Sequence, residues 1–196
     1  MSLPFSASAE RNKQVIADAL EDYLTAVSKV VEIGSGTGQH AVYFAQRFTH
    51  LQWQPTDREE NLSAIRQRIE EFALSNVAAP LEVDVSAAVA LPQEYELAYS
   101  ANTAHIMSLS EVKAMFKLVS ACLQSNAYFV LYGPFSYAGE HTSEGNKNFH
   151  AMLQQQAAHM GIRDKAELDS IAFDVGFDFV EDIALPANNR ILVWRR

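Results

Sequence analysis

The residues whose types and spacing come closest to doing chemistry lie in Val30-Val31-Glu32-Ile33-Gly34-Ser35-Gly36-Thr37-Gly38. Three alternating glycines let the backbone turn sharply and let a ligand approach with no Cβ in the way. A short β-branched run precedes them and helical spacing follows, the setting in which a glycine loop receives a ligand at a helix N-terminus. Two common loops do not match. A dinucleotide fold needs glycine three positions after the second one, where this chain has Gln39, and a P-loop needs Lys-Ser or Lys-Thr after its glycines.

Glu32 separates the remaining ligands by charge. A carboxylate directed at the loop repels a pyrophosphate but favours the cationic amino end of S-adenosylmethionine. Asp57 ends a second short apolar run, Leu51–Gln54 followed by Pro55-Thr56-Asp57. At that place a carboxylate can accept two ribose hydroxyls; equally, Asp is a preferred N-cap for the helix that begins beyond it. Asp84, in Leu81-Glu82-Val83-Asp84-Val85, either accepts the exocyclic amine of an adenine that packs on Val85, or holds a turn.

A further loop, Tyr99-Ser100-Ala101-Asn102-Thr103-Ala104-His105, holds the candidates for chemistry on an acceptor. Asn102 both donates and accepts, and so positions an acceptor or fixes a turn. His105 titrates near neutrality and serves as a base, or satisfies a buried carbonyl. The pocket rim has candidates in Tyr132, in Glu140 and His141 of the polar stretch Gly139–Asn148, and in Asn188-Asn189, although Asn-Asn in a hairpin is first a turn device. Arg11 and Asn12 open the first helix, where Arg11 either meets the carboxylate of a bound amino acid or stays solvated. The histidines show no H-E-x-x-H or H-x-H spacing and no cysteine cluster accompanies them, so no metal is expected.

These residues need elements to hold them. Apolar periodicity predicts helices over Ser8–Leu24, Gln39–Phe48, Glu59–Leu74 and Ser110–Leu123, and another opened by Asp164 with Glu167 and closed by Gly176. Strands are expected at Lys29–Ile33, Leu51–Gln54, Leu81–Val85, Leu97–Ala101 and Ala127–Tyr132, and Gly139–Asn148 reads as a long loop. Phe177–Leu185 and Arg190–Arg196, joined by Pro186-Ala187-Asn188-Asn189, read as a hairpin. The sum is an α/β fold, a mostly parallel sheet with one reversed strand, whose ligands sit at the carboxyl ends of the strands.

Composition agrees with one domain spanning residues 1–196: hydrophobic residues make up 48% and charged residues 20%. The net charge of −9 argues against nucleic acid as a partner, since phosphate contacts need clustered cations. The single cysteine, Cys122, cannot form an internal disulfide and reads as a small buried hydrophobe. Neither a signal-peptide pattern nor a membrane-length apolar run is present, and the expectation is a soluble cytoplasmic protein of undetermined oligomeric state.

The spacing of Glu32–Gly38, Asp57 and Asp84 resembles the cofactor half of class I methyltransferases. From Phe5 to Arg196 the chain further resembles the methyltransferase-like 26 family, also called DUF938. The resemblance rests on Ser8-Ala9-Glu10-Arg11-Asn12-Lys13, Gly34–His40, Trp53–Asp57, Ala101–Ile106, Tyr132-Gly133-Pro134-Phe135, Gly139-Glu140-His141-Thr142 and Pro186-Ala187-Asn188-Asn189. It implies a Rossmann-like seven-stranded sheet of order 3-2-1-4-5-7-6, helices on both faces, and S-adenosylmethionine as cofactor with S-adenosylhomocysteine as product. The first helix would then cap the donor. Donor contacts are expected from Arg11, Asn12, Glu32, Gly34, Ser35, Gly36, Gly38, Asp57, Asp84, Val85 and Ala101, and catalysis from His105 and Asn102. The acceptor, a small molecule or a protein side chain, is not implied. A non-catalytic module of the same fold and an NAD-dependent oxidoreductase are the other readings. One substitution tests the loop: Gly36→Val should abolish binding of S-adenosylhomocysteine by calorimetry, while the terminal hairpin remains folded by NMR.

Overall fold

The computed structural model describes residues 3–87 and 90–196. The chain opens with helices α1 (Ala7–Ala19) and α2 (Glu21–Thr25), then alternates strand and helix: β1 (Lys29–Ile33), α3 (Gln39–Arg47), β2 (Gln52–Asp57), α4 (Glu59–Phe72), β3 (Leu81–Glu82), β4 (Tyr95–Ala101), α5 (Leu109–Cys122) and β5 (Leu123–Gly133). An insertion of β6 (Phe135–Tyr137), β7 (Glu140–His141), α6 (Glu144–Gln156) and β8 (Arg163–Asp164) follows. The chain closes with α7 (Lys165–Asp174), β9 (Asp178–Leu185) and β10 (Asn189–Arg195).

The main sheet has the order β3-β2-β1-β4-β5-β10-β9, which is the expected 3-2-1-4-5-7-6. Pairings are parallel from β3 to β5, and β10 is antiparallel to both β5 and β9. Strand order reverses between β1 and β4, so the loops leaving their carboxyl ends diverge and open a crevice there.

Alternation along each central strand divides the core into two layers. Val31, Ile33, Ala98, Phe129 and Leu131 face one layer, which α5 and α7 complete with Phe116, Leu168 and Ala172. Val30, Leu97, Tyr99, Val130 and Val193 face the other, closed by Ile16, Leu20 and Leu24 of the N-terminal segment and by Phe44 of α3. Each fully buried Val, Leu, Ile or Phe among them contributes about 2 kcal/mol of transfer free energy. Cys122 is buried in the first layer, and burial pushes its thiol up to about 12, as suits an inert hydrophobe.

Several boundaries differ from the sequence expectation for identifiable reasons. The helix expected over Ser8–Leu24 breaks at Leu20, whose backbone leaves the helical region (φ −101°, ψ 7°) while Leu20 and Leu24 both stay buried. Apolar spacing continues across the break and so conceals it. The strand expected to end at Gln54 runs through Pro55 to Asp57, where the neighbouring β3 pairs only at Thr56 and Asp57. That neighbour is two residues long, not five, which leaves Asp84 in a turn beyond it. Gly139–Asn148 is not a long loop: it holds β7 and the start of α6, which Ser143 caps by accepting from the Asn146 amide. With β8 these residues form a small sheet of order β7-β6-β8.

No helix among the described residues is long and apolar enough to cross a membrane. Helix α5 starts in a capping box, where Ser108 accepts from the Glu111 amide and Glu111 accepts in return from the Ser108 amide. Ser108→Ala should cost about 1 kcal/mol. In a chain of this size that lowers the melting temperature by about 2–4 °C in thermal denaturation.

Candidate functional site

The glycine loop is moulded by the end of β2. Both the Gly34 and Ser35 amides donate to the Thr56 carbonyl, at 3.0 and 2.9 Å, and the Gly36 amide donates to Asp57 Oδ2 at 2.6 Å. Gly34 has φ +76°, and a Cβ there would stand 2.7 Å from Thr103 Cγ2, so the β1 and β4 loops touch only because this side chain is missing. Gly36 has φ +56° and a Cβ on it would meet nothing within 4 Å, because it faces open space.

That space is a cavity of about 780 Å³. Gly34 and Gly36 wall it on one side, Asp57 and Asn61 on the next, and Ala101, Asn102 and Thr103 across from them. Val83, Val85, Ile106, Met107 and Met160 form an apolar part suited to a flat group. Arg58 and Glu111 also line it and pair with each other at 2.8 Å. Asp57 is buried and its carboxylate is oriented from three sides: besides Gly36, Oδ1 accepts from the Arg58 amide and from Asn61 Nδ2, both at 2.8 Å. It is not the N-cap of α4, a place taken by Arg58 with no side-chain cap bond.

A second cavity, of about 320 Å³, lies on the β5 side. Helix α1 supplies Ser8, Arg11, Asn12 and Val15, β5 supplies Tyr132, and the terminal hairpin turn supplies Pro186, Ala187 and Asn189. Asn102, held at φ 59° and donating its amide to the Tyr132 carbonyl at 2.9 Å, lines both cavities. No residue of the glycine loop or of β2 contributes to the second cavity. Arg11 and Asn12, expected among donor contacts, therefore belong to its wall and not to that of the first.

Other expected residues stand elsewhere. Glu32 lies behind the loop, since strand alternation aims Ile33 at the cavity and Glu32 at the opposite layer. There Oε2 accepts from Trp53 Nε1 at 3.0 Å, and burial pushes the carboxyl up to about 7. Ser35 braces the loop from beneath, its Oγ accepting from the Thr56 amide at 3.1 Å, and Gly38 packs beside Ile65 and Arg68. Asp84 closes its own turn by accepting from Ser86 N and Oγ, at 2.9 and 2.6 Å, while Val85 does line the cavity. His105 lines neither cavity: it packs edge-on against Phe149, and burial lowers its pKa to about 4. Glu140 and His141 sit in the small sheet, with the His141 ring 4.8 Å from that of His150. Asn188 turns outward and gives its carbonyl to Asn146 Nδ2 at 3.1 Å, whereas its neighbours Ala187 and Asn189 reach the second cavity.

Residues missed at the sequence level include Arg58, Asn61, Ile106, Met107 and Met160 in the first cavity and Val15 and Ala187 in the second, whereas Asn189 is among the rim candidates. Asn61 carried a partial signal, since it falls in the first turn of the helix that follows Asp57. Met160 carried none, because it arrives from the insertion after β5.

Gln39, which replaces the third glycine of a dinucleotide loop, has a structural task. Oε1 accepts from the Ser6 amide at 2.6 Å and from Thr37 Oγ1 at 2.9 Å, and Nε2 donates to Glu10 at 3.1 Å, fastening α1 to the loop. Deeper in, His40 Nε2 meets Asn12 Oδ1 at 2.7 Å and Nδ1 meets the Tyr99 hydroxyl at 3.2 Å. Burial lowers His40 to about 4, so it is neutral and forms no ion pair with Glu32 at 4.0 Å. An amide oxygen only accepts, hence Nε2 carries the proton and Tyr99 donates to Nδ1.

The buried Glu32 has a pH signature. Its folded pKa, about 7, lies above the ordinary 4.5, so the folded state holds the proton more tightly than the unfolded one. The stability this adds is complete below the ordinary value and is lost as pH rises toward about 7. Wild type should lose up to about 3 kcal/mol between about pH 5 and 8 by urea denaturation, and Glu32→Gln should flatten that slope. Parallel pH profiles would show that Glu32 is not protonated in the fold.

Known proteins place this geometry. The fold is similar to that of the S-adenosylmethionine-dependent methyltransferase SibL, with TM-score 0.80 and 19% identity over 97% of this chain and 56% of that one. A putative O-methyltransferase from Nostoc punctiforme superposes with TM-score 0.84 at 15% identity, covering 96% of this chain and 56% of that chain. Human N-acetylserotonin methyltransferase in complex with SAM gives TM-score 0.79 at 14% identity, covering 96% and 52%. The chain thus spans little more than half the length of these neighbours, and what they share with it is the Rossmann-like class I methyltransferase fold. Residues 3–196 match the family model described as a protein of unknown function, DUF938, and the chain belongs to that family.

Proposed function

We propose that the chain is an S-adenosylmethionine-dependent methyltransferase, with its donor in the larger cavity and residues 1–196 acting as one domain. The observation that carries this reading is the Asp57 carboxylate, buried yet on the cavity wall and oriented by Gly36 and Asn61. It faces the same space as the two glycines, so one rigid ligand can meet both.

The wall fits the donor part by part. Asp57 accepts ribose hydroxyls, Val83, Val85 and Met107 enclose an adenine ring, and Gly34, Gly36 and Ala101 receive the amino-acid end. A volume of about 780 Å³ suits a ligand of this size. Charge separates the donor from a dinucleotide. Arg58 is already paired with Glu111, which leaves no free cation on the described wall for a pyrophosphate, while Asp57 and Glu60 favour a cationic ligand.

The donor supplies a methyl carbon on a sulfonium, whose positive charge disappears as the methyl leaves. The protein's part is to hold the acceptor in line and to exclude water. Asn102 stands where the two cavities meet, and we assign it the positioning of the acceptor atom. His105 faces neither cavity and is a weak base at pH 7, so the reading routes no proton through it.

Titration calorimetry tests the reading. Wild type should bind S-adenosylhomocysteine, and Asp57→Ala should weaken it by about 10- to 100-fold, the loss of hydrogen bonds to a charged acceptor. NADH should give no heat. Binding of NADH in preference to S-adenosylhomocysteine would replace the methyltransferase reading with an oxidoreductase one.

A further inference from the structure

The second cavity has a one-sided chemistry. Among the described residues its only charged wall residue is Arg11, in a chain whose net charge is −9. Arg11 makes no ion pair with any described residue, whereas Arg47, Arg58 and Arg190 are each paired with acids. No described aspartate or glutamate contributes to this wall.

A second donor on this wall is the phenol of Tyr132, beside Asn12. Burial raises the Tyr132 pKa, so the phenol keeps its proton and can donate it into the cavity. Val15, Pro186 and Ala187 complete the wall with apolar surface. At about 320 Å³ the space is at the low end for small-molecule sites and too small for a folded partner's surface.

We propose that this cavity is the acceptor pocket and selects a compact organic carboxylate, its anionic end on Arg11 and Tyr132 and its reacting heteroatom at Asn102. The inference rests on the methyltransferase reading and names its substrate class. The acceptor heteroatom uses its lone pair to form the bond to the methyl carbon as the carbon–sulfur bond breaks. That bonding pair returns to sulfur, which leaves as a neutral thioether, and a proton carried by the heteroatom passes to solvent water.

Benzoate and its neutral counterpart benzamide are the probes, observed by saturation-transfer NMR with S-adenosylhomocysteine saturating. Benzoate should bind at least about tenfold more tightly than benzamide, as one charge-assisted contact implies. Arg11→Gln should erase the preference, Arg11→Lys should restore part of it, and both variants should hold S-adenosylhomocysteine within about twofold of wild type. Arg11 is exposed, so neither replacement disturbs the core. Three results would overturn the proposal: no benzoate binding, a preference for benzoate that survives in Arg11→Gln, or a variant that loses S-adenosylhomocysteine instead, which would assign Arg11 to the donor. Failure of wild type to bind S-adenosylhomocysteine is seen separately by calorimetry and strikes the parent reading.

Discussion

The hydrogen bond from the Gly36 amide to the Asp57 carboxylate ties the first loop of the sheet to the end of the second strand. Everything at the carboxyl edge depends on it and on the two amides that Gly34 and Ser35 give to Thr56. Without them the loop would have no fixed shape, and the first cavity would lose one of its walls. The arrangement demands missing side chains: Gly34 lets Thr103 of the β4 loop close in, and Gly36 leaves the cavity open. A carboxylate held in this way is pre-oriented, and a ligand hydroxyl finds its remaining acceptor position in place without further ordering.

Behind the loop lies a second set of polar contacts that never meets the cavity. Glu32, Trp53, Ser35, His40, Tyr99 and Asn12 are packed among aromatic side chains, and burial drives Glu32, His40 and Tyr99 toward their neutral forms. An unpaired charge there would be expensive, and neutrality avoids the expense. The acid that opens the glycine motif thus acts as a strut under the loop and not as a counter-charge for a ligand. The same chain ends at Asn12, which also lines the second cavity, so the back of the glycine loop and the wall of that cavity share one network of donors and acceptors.

The two cavities meet at a single left-handed residue, Asn102, placed by the close approach of β4 and β5. A sheet whose strand order reverses beside β4 produces two adjacent crevices there, one over β1 and β4 and the other over β4 and β5. The N-terminal helix and the terminal hairpin, distant in sequence, close the second crevice from opposite sides.

Through the family resemblance the sequence implied the sheet order and the helices on both faces; by its own pattern it determined the alternating strands and helices, the reversed last strand and the glycine loop with Asp57. The latter are read from apolar periodicity, glycine spacing and turn residues, which act between neighbours along the chain. Only the tertiary structure decided that Glu32 points away from the cavity, that Asp84 closes its own turn, and that His105 is walled in by Phe149. It also gave Arg11 a cavity of its own. Which side of a strand meets a ligand depends on what packs against each face, and Met160 or Ala187 joins a site only when distant segments are folded over it. Contacts of that kind have no fixed spacing, so no local pattern encodes them.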